Sequence, residues 1–373
     1  MDSRQRQGEI VVQTSNRIAV GALVVALVSG CATTVAPAST TSVPSSGAAR
    51  PAATPAPTPA PATTASPTSS ALPAIAPGEA WIAFQTRSAA GYGVHLVRPD
   101  GTGFHKWPAA IPGTHEHPDW SPDGTRILLN SIDADGTEDL WVADADGSDA
   151  RRIVDCADPC VWVDEPSWSP DGTMIAFQRL VQAEGRLVST LELMDVAAGT
   201  TSTVLTMPSR EVVLAPRWAP DGERLVVEAI RLLADDLESD LEGGAVGIVD
   251  LAAAVPVVER VTDWSSFANN PDWSRDDRLV YVQPSAANHD LADLIVTDGD
   301  GSAATPITDL VADGGSAIHP AFTPDGTQVL FVMTTTDRPV SGMATIGIDG
   351  VGLGSMTGGS WLDGTHPRMR PTD

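Results

Sequence analysis

The octapeptide His117-Pro118-Asp119-Trp120-Ser121-Pro122-Asp123-Gly124 constrains this chain more than any other stretch, because it returns. Edited copies begin at Glu165, Ala215, Asn270 and His319, and a truncated copy runs from His366 to Pro371. The aromatic position (methionine in the last copy) falls at residues 120, 168, 218, 273, 322 and 369, in steps of 48, 50, 55, 49 and 47. A fixed period of that size means stacked supersecondary units, none able to bury its apolar face alone.

Each period reads as four short strands. The first carries the aromatic residue. The Ser-Pro-Asp-Gly turn reverses the chain, with Pro presetting φ and Gly accepting the positive φ of a tight turn. A second, wholly apolar strand follows, as in Ile127-Leu128-Leu129, Ile175-Ala176-Phe177 and Leu225-Val226-Val227. A third ends on an acidic turn, as Leu140-Trp141-Val142 does before Asp144-Ala145-Asp146-Gly147. A fourth is brief, as in Arg152-Ile153-Val154. Four short strands repeated in this way make a propeller blade. Trp81-Ile82-Ala83-Phe84 is a second strand with no first strand before it, and His366 to Pro371 is a first strand with no second after it. The expectation is an all-β, six-bladed β-propeller over residues 79–373, closed by a C-terminal strand that completes the N-terminal blade. Such closure leaves no exposed sheet edge.

What precedes the propeller has a different composition. Ile18 to Val28 is an apolar run too short to span a bilayer permanently, and it ends Leu27-Val28-Ser29-Gly30-Cys31. That ending resembles the bacterial lipobox. The resemblance implies a signal peptide over residues 1–30, a diacylated Cys31, and a membrane link through lipid alone. From Cys31 to Gly78 the chain is nearly all Ala, Pro, Thr, Ser, Val and Gly, with Arg50 as its one charge. Such a stretch cannot bury a core and reads as a disordered tether with a reach on the order of 100 Å.

The copies of Pro-x-Trp-Ser-Pro-Asp-Gly followed by an apolar strand resemble the repeat of the TolB-like six-bladed propellers. This resemblance covers the chain from about residue 79 onward. It implies one closed ring with a central channel. Relatives of that kind include envelope docking modules, propellers attached to peptidases and a few sugar-processing enzymes.

Charge and motifs narrow the function. Against 48 Asp and Glu stand 22 Lys and Arg, for a net charge of -26. Such a surface repels nucleic-acid phosphate, so no nucleic-acid partner is expected. No Gly-x-Ser-x-Gly elbow and no His-Glu-x-x-His motif occurs in the sequence. Asp133-Ala134-Asp135-Gly136, Asp144-Ala145-Asp146-Gly147 and Asp298-Gly299-Asp300-Gly301 look like calcium loops but lack the closing Glu, and read as turns. Cys156 and Cys160, in an exported chain, are expected to form a disulfide that rigidifies a loop between blades 2 and 3. Leu232 to Glu242 lengthens blade 4 and reads as a solvated loop, or as an acidic finger for a basic partner.

The variable part of the repeat is the residue before its first Pro: His117, Glu165, Ala215, Asn270, His319 and His366. These positions, near the start of the innermost strands, are expected at the channel mouth. Imidazoles and a carboxylate there suit a divalent metal, while hydrogen bonding to the next blade's backbone is the structural alternative. The expected function is that of an envelope-anchored lipoprotein. It would be exported to the outer face of the cytoplasmic membrane, monomeric, and without a catalytic residue or required cofactor. Its propeller would bind a protein, peptide or glycan. The alternative is a metal-dependent polysaccharide-processing enzyme using the channel histidines.

Overall fold

A computed structural model of the chain describes residues 75–373, except 89–90, 237–238, 336–337, 357–363 and 373. The expected signal segment, Cys31, nearly all of the expected tether and Trp361 lie outside the described residues. Among the described residues no helix is long and apolar enough to cross a membrane.

The repeat folds as six four-stranded antiparallel blades. Blade 2 is Thr114–Trp120, Arg126–Ile132, Glu138–Asp144 and Arg151–Val154, from the channel outward. Blades 3 and 4 begin at Cys160–Trp168 and Glu211–Trp218 and repeat this order. Blades 5 and 6 begin at Asn269–Trp273 and Ser316–Phe322, and a single parallel pair, Ala292 with Ser316, joins them into one eight-stranded sheet. Blade 1 takes its innermost strand, Thr365–Met369, from the C-terminal end and sets it against Ile82–Ser88. The closure read from the two incomplete repeats is therefore the one formed.

The second strands are apolar throughout because both their faces are buried. Successive side chains point to opposite faces of a strand. Ile127 and Leu129 accordingly pack with Trp81, Ala83, Leu96 and Trp107 toward blade 1, and Leu128 packs with Val163, Trp168 and Phe177 toward blade 3. Blade 3 repeats this, with Ile175 and Phe177 facing one way and Ala176 the other. The repeat tryptophans pack in these interfaces, and two of them bond the preceding blade. Trp120 Nε1 donates to the Arg368 carbonyl and Trp218 Nε1 to that of Ser167, both at 3.2 Å.

The turns follow from their residues. In blade 2, Asp123 Oδ1 accepts from Ser121 Oγ at 2.6 Å and from the Thr125 amide at 3.0 Å, and Gly124 takes φ +63°. Blade 5 replaces the glycine with Asp277, which still adopts φ +57°. Its carboxylate offsets that cost by accepting from Trp273 Nε1 and Arg224 Nη2, each at 3.0 Å. The acidic third-strand turns are likewise self-contained: Asp146 and Asp300 each accept the amide two residues on.

The Cys156–Cys160 disulfide is present. It differs from a staple at a loop tip, since Cys156 and Cys160 are 4% and 5% exposed and pack with Val154, Val163 and Trp168 between blades 2 and 3. Replacing both cysteines with alanine is expected to lower the unfolding free energy by about 2 kcal/mol, the loop-closure contribution of so short a ring. Denaturant unfolding of oxidised protein and double variant measures it.

Candidate functional site at the channel mouth

The six residues before the repeat prolines share one backbone feature that the sequence did not announce. His117, Glu165, Ala215, Asn270, His319 and His366 all have positive φ, between 45° and 51°. The cause lies next door, because proline has no N–H to give the ladder. Glu116 pairs with Asn130 and Asp119 with Leu128, so His117 and Pro118 together oppose Leu129 alone. This is a β-bulge, which re-aims the bulged side chain. The left-handed conformation costs a non-glycine residue on the order of 1–3 kcal/mol. It recurs in every blade, whatever the side chain, so the strained backbone belongs to the architecture. Only the identity of the residue is free to carry chemistry.

The bulged amides are partly satisfied from neighbouring blades. Gln85 Oε1 accepts from the His117 amide at 2.7 Å, Glu165 Oε2 from the Ala215 amide at 2.5 Å, and Glu228 Oε2 from the Asn270 amide at 3.0 Å. The expected bonding to the next blade's backbone thus holds for the Glu165 side chain. It does not describe the histidines.

The histidines instead form an arc across three consecutive blades, which the Asp164 carboxylate extends to a fourth. The rings of His319 (blade 6) and His366 (blade 1) lie 3.6 Å apart between centroids, and His366 meets His117 (blade 2) edge-on at 4.2 Å. His117 Nδ1 bonds the Asp164 carboxylate of blade 3 at 2.6 Å and approaches Asn130 Oδ1 at 3.2 Å. Donor atoms of His117, Glu165 and His366 all lie within 4.8 Å of one another. Three buried atoms of the ring have no hydrogen-bond partner: His319 Nδ1, His366 Nδ1 and Asn270 Oδ1. Asn270 and His319 stand outside the three-residue donor group, and Ala215 contributes no ligand atom.

Electrostatics divide the imidazoles. Burial opposes a charge on His117, but the carboxylates of Asp164, Glu165 and Glu116 outweigh it and hold the ring up at about 10. Burial, reinforced by the positive charges of His117 and Arg368, drops His319 to about 3. His366 falls well below its ordinary value for the same first reason, with His319 and His117 adding to it. Burial lifts Glu116 to about 7 and Glu228 to about 8, and raises Glu165. The mouth is a pocket of carboxyl groups and neutral imidazoles around one imidazolium.

One residue past the prolines lies a second layer, of paired opposite charges. Asp272 of blade 5 lies 4.0 Å from Arg217 Nε of blade 4 and 3.7 Å from Arg368 Nη1 of blade 1. The blade 1 contact crosses the ring, because blade 6 separates the two. Asp119 and Asp272 also accept the backbone amides of Trp168 and Phe322, at 2.9 and 2.7 Å. Burial, then repulsion from Arg368, brings Arg217 down to about 10. The mouth, bordered by this ionic layer, is the cup in which the histidine arc and its carboxyl neighbours meet. A separate cavity of about 260 Å³, lined by Val142, Arg151, Arg152, Trp168 and Met194, lies beside the Ala197–Gly199 turn and shares none of the cup's residues.

Asp164, Glu228 and the Asp119/Arg217/Asp272/Arg368 layer escaped the sequence reading. A signal existed for the last: the residue after the repeat proline runs Asp, Ser, Arg, Asp, Ala, Arg around the ring. No family model matches this chain. No curated protein matches it either. Solved structures do. TolB from Acinetobacter baumannii superposes with a TM-score of 0.57 at 17% identity, over 78% of this chain and 66% of that one, just under two thirds of its length. Putative TolB from Agrobacterium tumefaciens gives 0.53 at 21% identity, over 77% and 90% of the two chains. The hydrazine synthase of Kuenenia stuttgartiensis gives 0.59 at 13% identity, over 79% of this chain and 47% of that one. At these identities what is shared is the fold, and this chain has the β-propeller fold of TolB.

Proposed function

We propose that this chain is an exported, lipid-anchored envelope protein whose propeller is a non-catalytic binding module, with the cup at the channel mouth as the place where a protein, peptide or glycan docks. The observation that carries this reading is the set of unpartnered atoms in the cup, His319 Nδ1, His366 Nδ1 and Asn270 Oδ1. Leaving a buried polar atom unpaired costs on the order of 1–3 kcal/mol, and folded proteins accept that cost where a ligand supplies the missing partner. The cup is rich in carboxyl groups on a chain of net charge -26, which favours cationic groups on the docking partner.

A second reading is a metal-dependent enzyme acting on polysaccharide, favoured by the His117, Glu165 and His366 donors. One experiment separates the two. A photo-crosslinking residue placed at Glu211 or Asn269, beside the mouth, is expected to capture one envelope partner in intact membranes. A photo-crosslinker at Glu223, in the turn on the opposite face, is expected not to. Loss of capture specificity between these positions would sink the docking reading. Metal-dependent release of oligosaccharides by the purified chain, abolished in His117→Gln, would establish the enzyme instead.

A further inference from the structure

We propose that the cup holds one divalent first-row transition-metal ion on His117, Glu165 and His366, and that this ion serves as a clasp that closes the propeller ring. The inference rests on the reading of the channel mouth as a ligand site and assigns that site a structural ion.

The donor set comes first. Two imidazoles and one carboxylate, with donor atoms within 4.8 Å of one another, match the ligands that zinc and its first-row neighbours take. Tetrahedral donors sit roughly 3.4 Å apart around such an ion, so small side-chain rotations complete the site. Asp164 engages His117 Nδ1 at 2.6 Å, so Nε2, which releases its proton to solvent when the ion binds, is the ligating atom. A carboxylate on the far nitrogen of a metal-binding histidine is the usual orienting partner. Glu165 has one oxygen committed to the Ala215 amide and the other free to ligate. His319, 7% exposed and with Nδ1 unpartnered, lies against His366 with the two rings tilted by 33°.

The placement of these donors gives the role. His366 belongs to the C-terminal strand Thr365–Met369, which joins blade 1 through three register pairs, Ile82 with Met369, Ala83 with Arg368 and Gln85 with Thr365. His117 belongs to blade 2 and Glu165 to blade 3. An ion bound to all three ties the closing strand to two blades with which it shares no sheet. Binding that needs the closed ring stabilises the closed ring by mass action.

The test uses the full chain, stripped with EDTA and titrated with Zn²⁺, Mn²⁺ or Co²⁺ salts. One ion per chain is expected by native mass spectrometry. At a hundredfold excess over Kd the melting midpoint is expected to rise by roughly 5 °C, and amide exchange across 365–369 to slow by roughly a hundredfold. Exchange in the Leu241–Asp250 strand of blade 4 serves as the reference. His366→Gln and His117→Gln are each expected to abolish uptake, and His105→Gln, outside the cup, to leave it intact. Should His366→Gln fail to fold, the His117→Gln variant carries the comparison. No stoichiometric uptake, or uptake that leaves exchange across 365–369 unchanged, overturns the clasp. Partner capture at the mouth that persists in EDTA-treated membranes would retain the docking reading while the clasp fails, so the two stand or fall separately.

Discussion

Replacing Arg370 with alanine is expected to lower the unfolding free energy by about 3 kcal/mol. Arg370 is 5% exposed and follows the closing strand directly. Its Nε donates to the Gly124 carbonyl at 2.7 Å, and its Nη1 to the carbonyls of Ala76 and Glu79 at 2.7 and 3.0 Å. Its guanidinium lies 5.7 Å from the centre of the Trp120 ring. One side chain thus pins the entry of the propeller, its exit and the first repeat turn together. Hydrogen bonds from a charged donor contribute about 1.5–3 kcal/mol each, and three that share one group do not add in full. Arg370→Lys is expected to fall between, because an ammonium lacks the planar fork. Gly124→Ala attacks the same junction from the other side. At φ +63° its new Cβ would stand 2.6 Å from the Pro371 carbonyl oxygen and 3.0 Å from Arg370 Nε. Guanidinium unfolding reads each variant. A loss under about 1 kcal/mol for Arg370→Ala, below one charge-assisted bond, would mean that strand pairing alone closes the ring.

Most of the architecture was legible because it is periodic. The residues at the repeat's aromatic position, from Trp120 to Met369, mark the blades, and the unmatched strands at Trp81–Phe84 and His366–Pro371 reveal which blade is shared. Apolar triplets such as Ile127-Leu128-Leu129 announce strands buried on both faces, and the packing of Leu128 opposite to Ile127 is what those triplets serve. The cup was legible only in part. His117, Glu165, Asn270, His319 and His366 stood out by equivalent position, but position in a repeat does not report direction. Their common positive φ comes from a two-for-one bulge, which depends on the partner strand's register and is not written in either strand alone. Asp164 is invisible for a related reason. It precedes Glu165 in blade 3, yet its partner is His117 of blade 2, and that pairing exists only once the blades stand side by side. The buried disulfide makes the same point, since spacing indicates a small loop and only packing places the sulfurs in an interface.

The second large effect concerns pH and a residue from a strand read only as apolar filling. Glu228 ends the buried run Leu225-Val226-Val227 and is itself 8% exposed. Burial is the main cause that lifts its carboxyl from 4.5 to about 8, the neighbouring Glu165 adds to it, and the bond from the Asn270 amide only partly opposes it. Between those two values the native chain holds a proton that the unfolded chain releases. The stabilisation is therefore fully present below about pH 4.5 and is lost as pH rises through about 8. Glu116, lifted to about 7 by its own burial, works in the same direction. A tenfold change in proton affinity on folding is worth about 1.4 kcal/mol, so Glu228 by itself contributes a loss on the order of 3 kcal/mol, read in EDTA, between the acid and alkaline ends of this window, while His319 and His366, whose imidazoles burial lowers, work in the opposite direction at its acid end. Glu228→Gln isolates the cause. Its amide oxygen still accepts from Asn270 and its NH₂ group takes the place of the carboxyl proton, so at the acid end the variant should match the parent. At the alkaline end it should be more stable by on the order of 3 kcal/mol, because nothing there can ionise. Parallel pH profiles of unfolding midpoint for parent and variant would show that Glu228 ionises freely in the native ring, and that the cup admits enough water to solvate it.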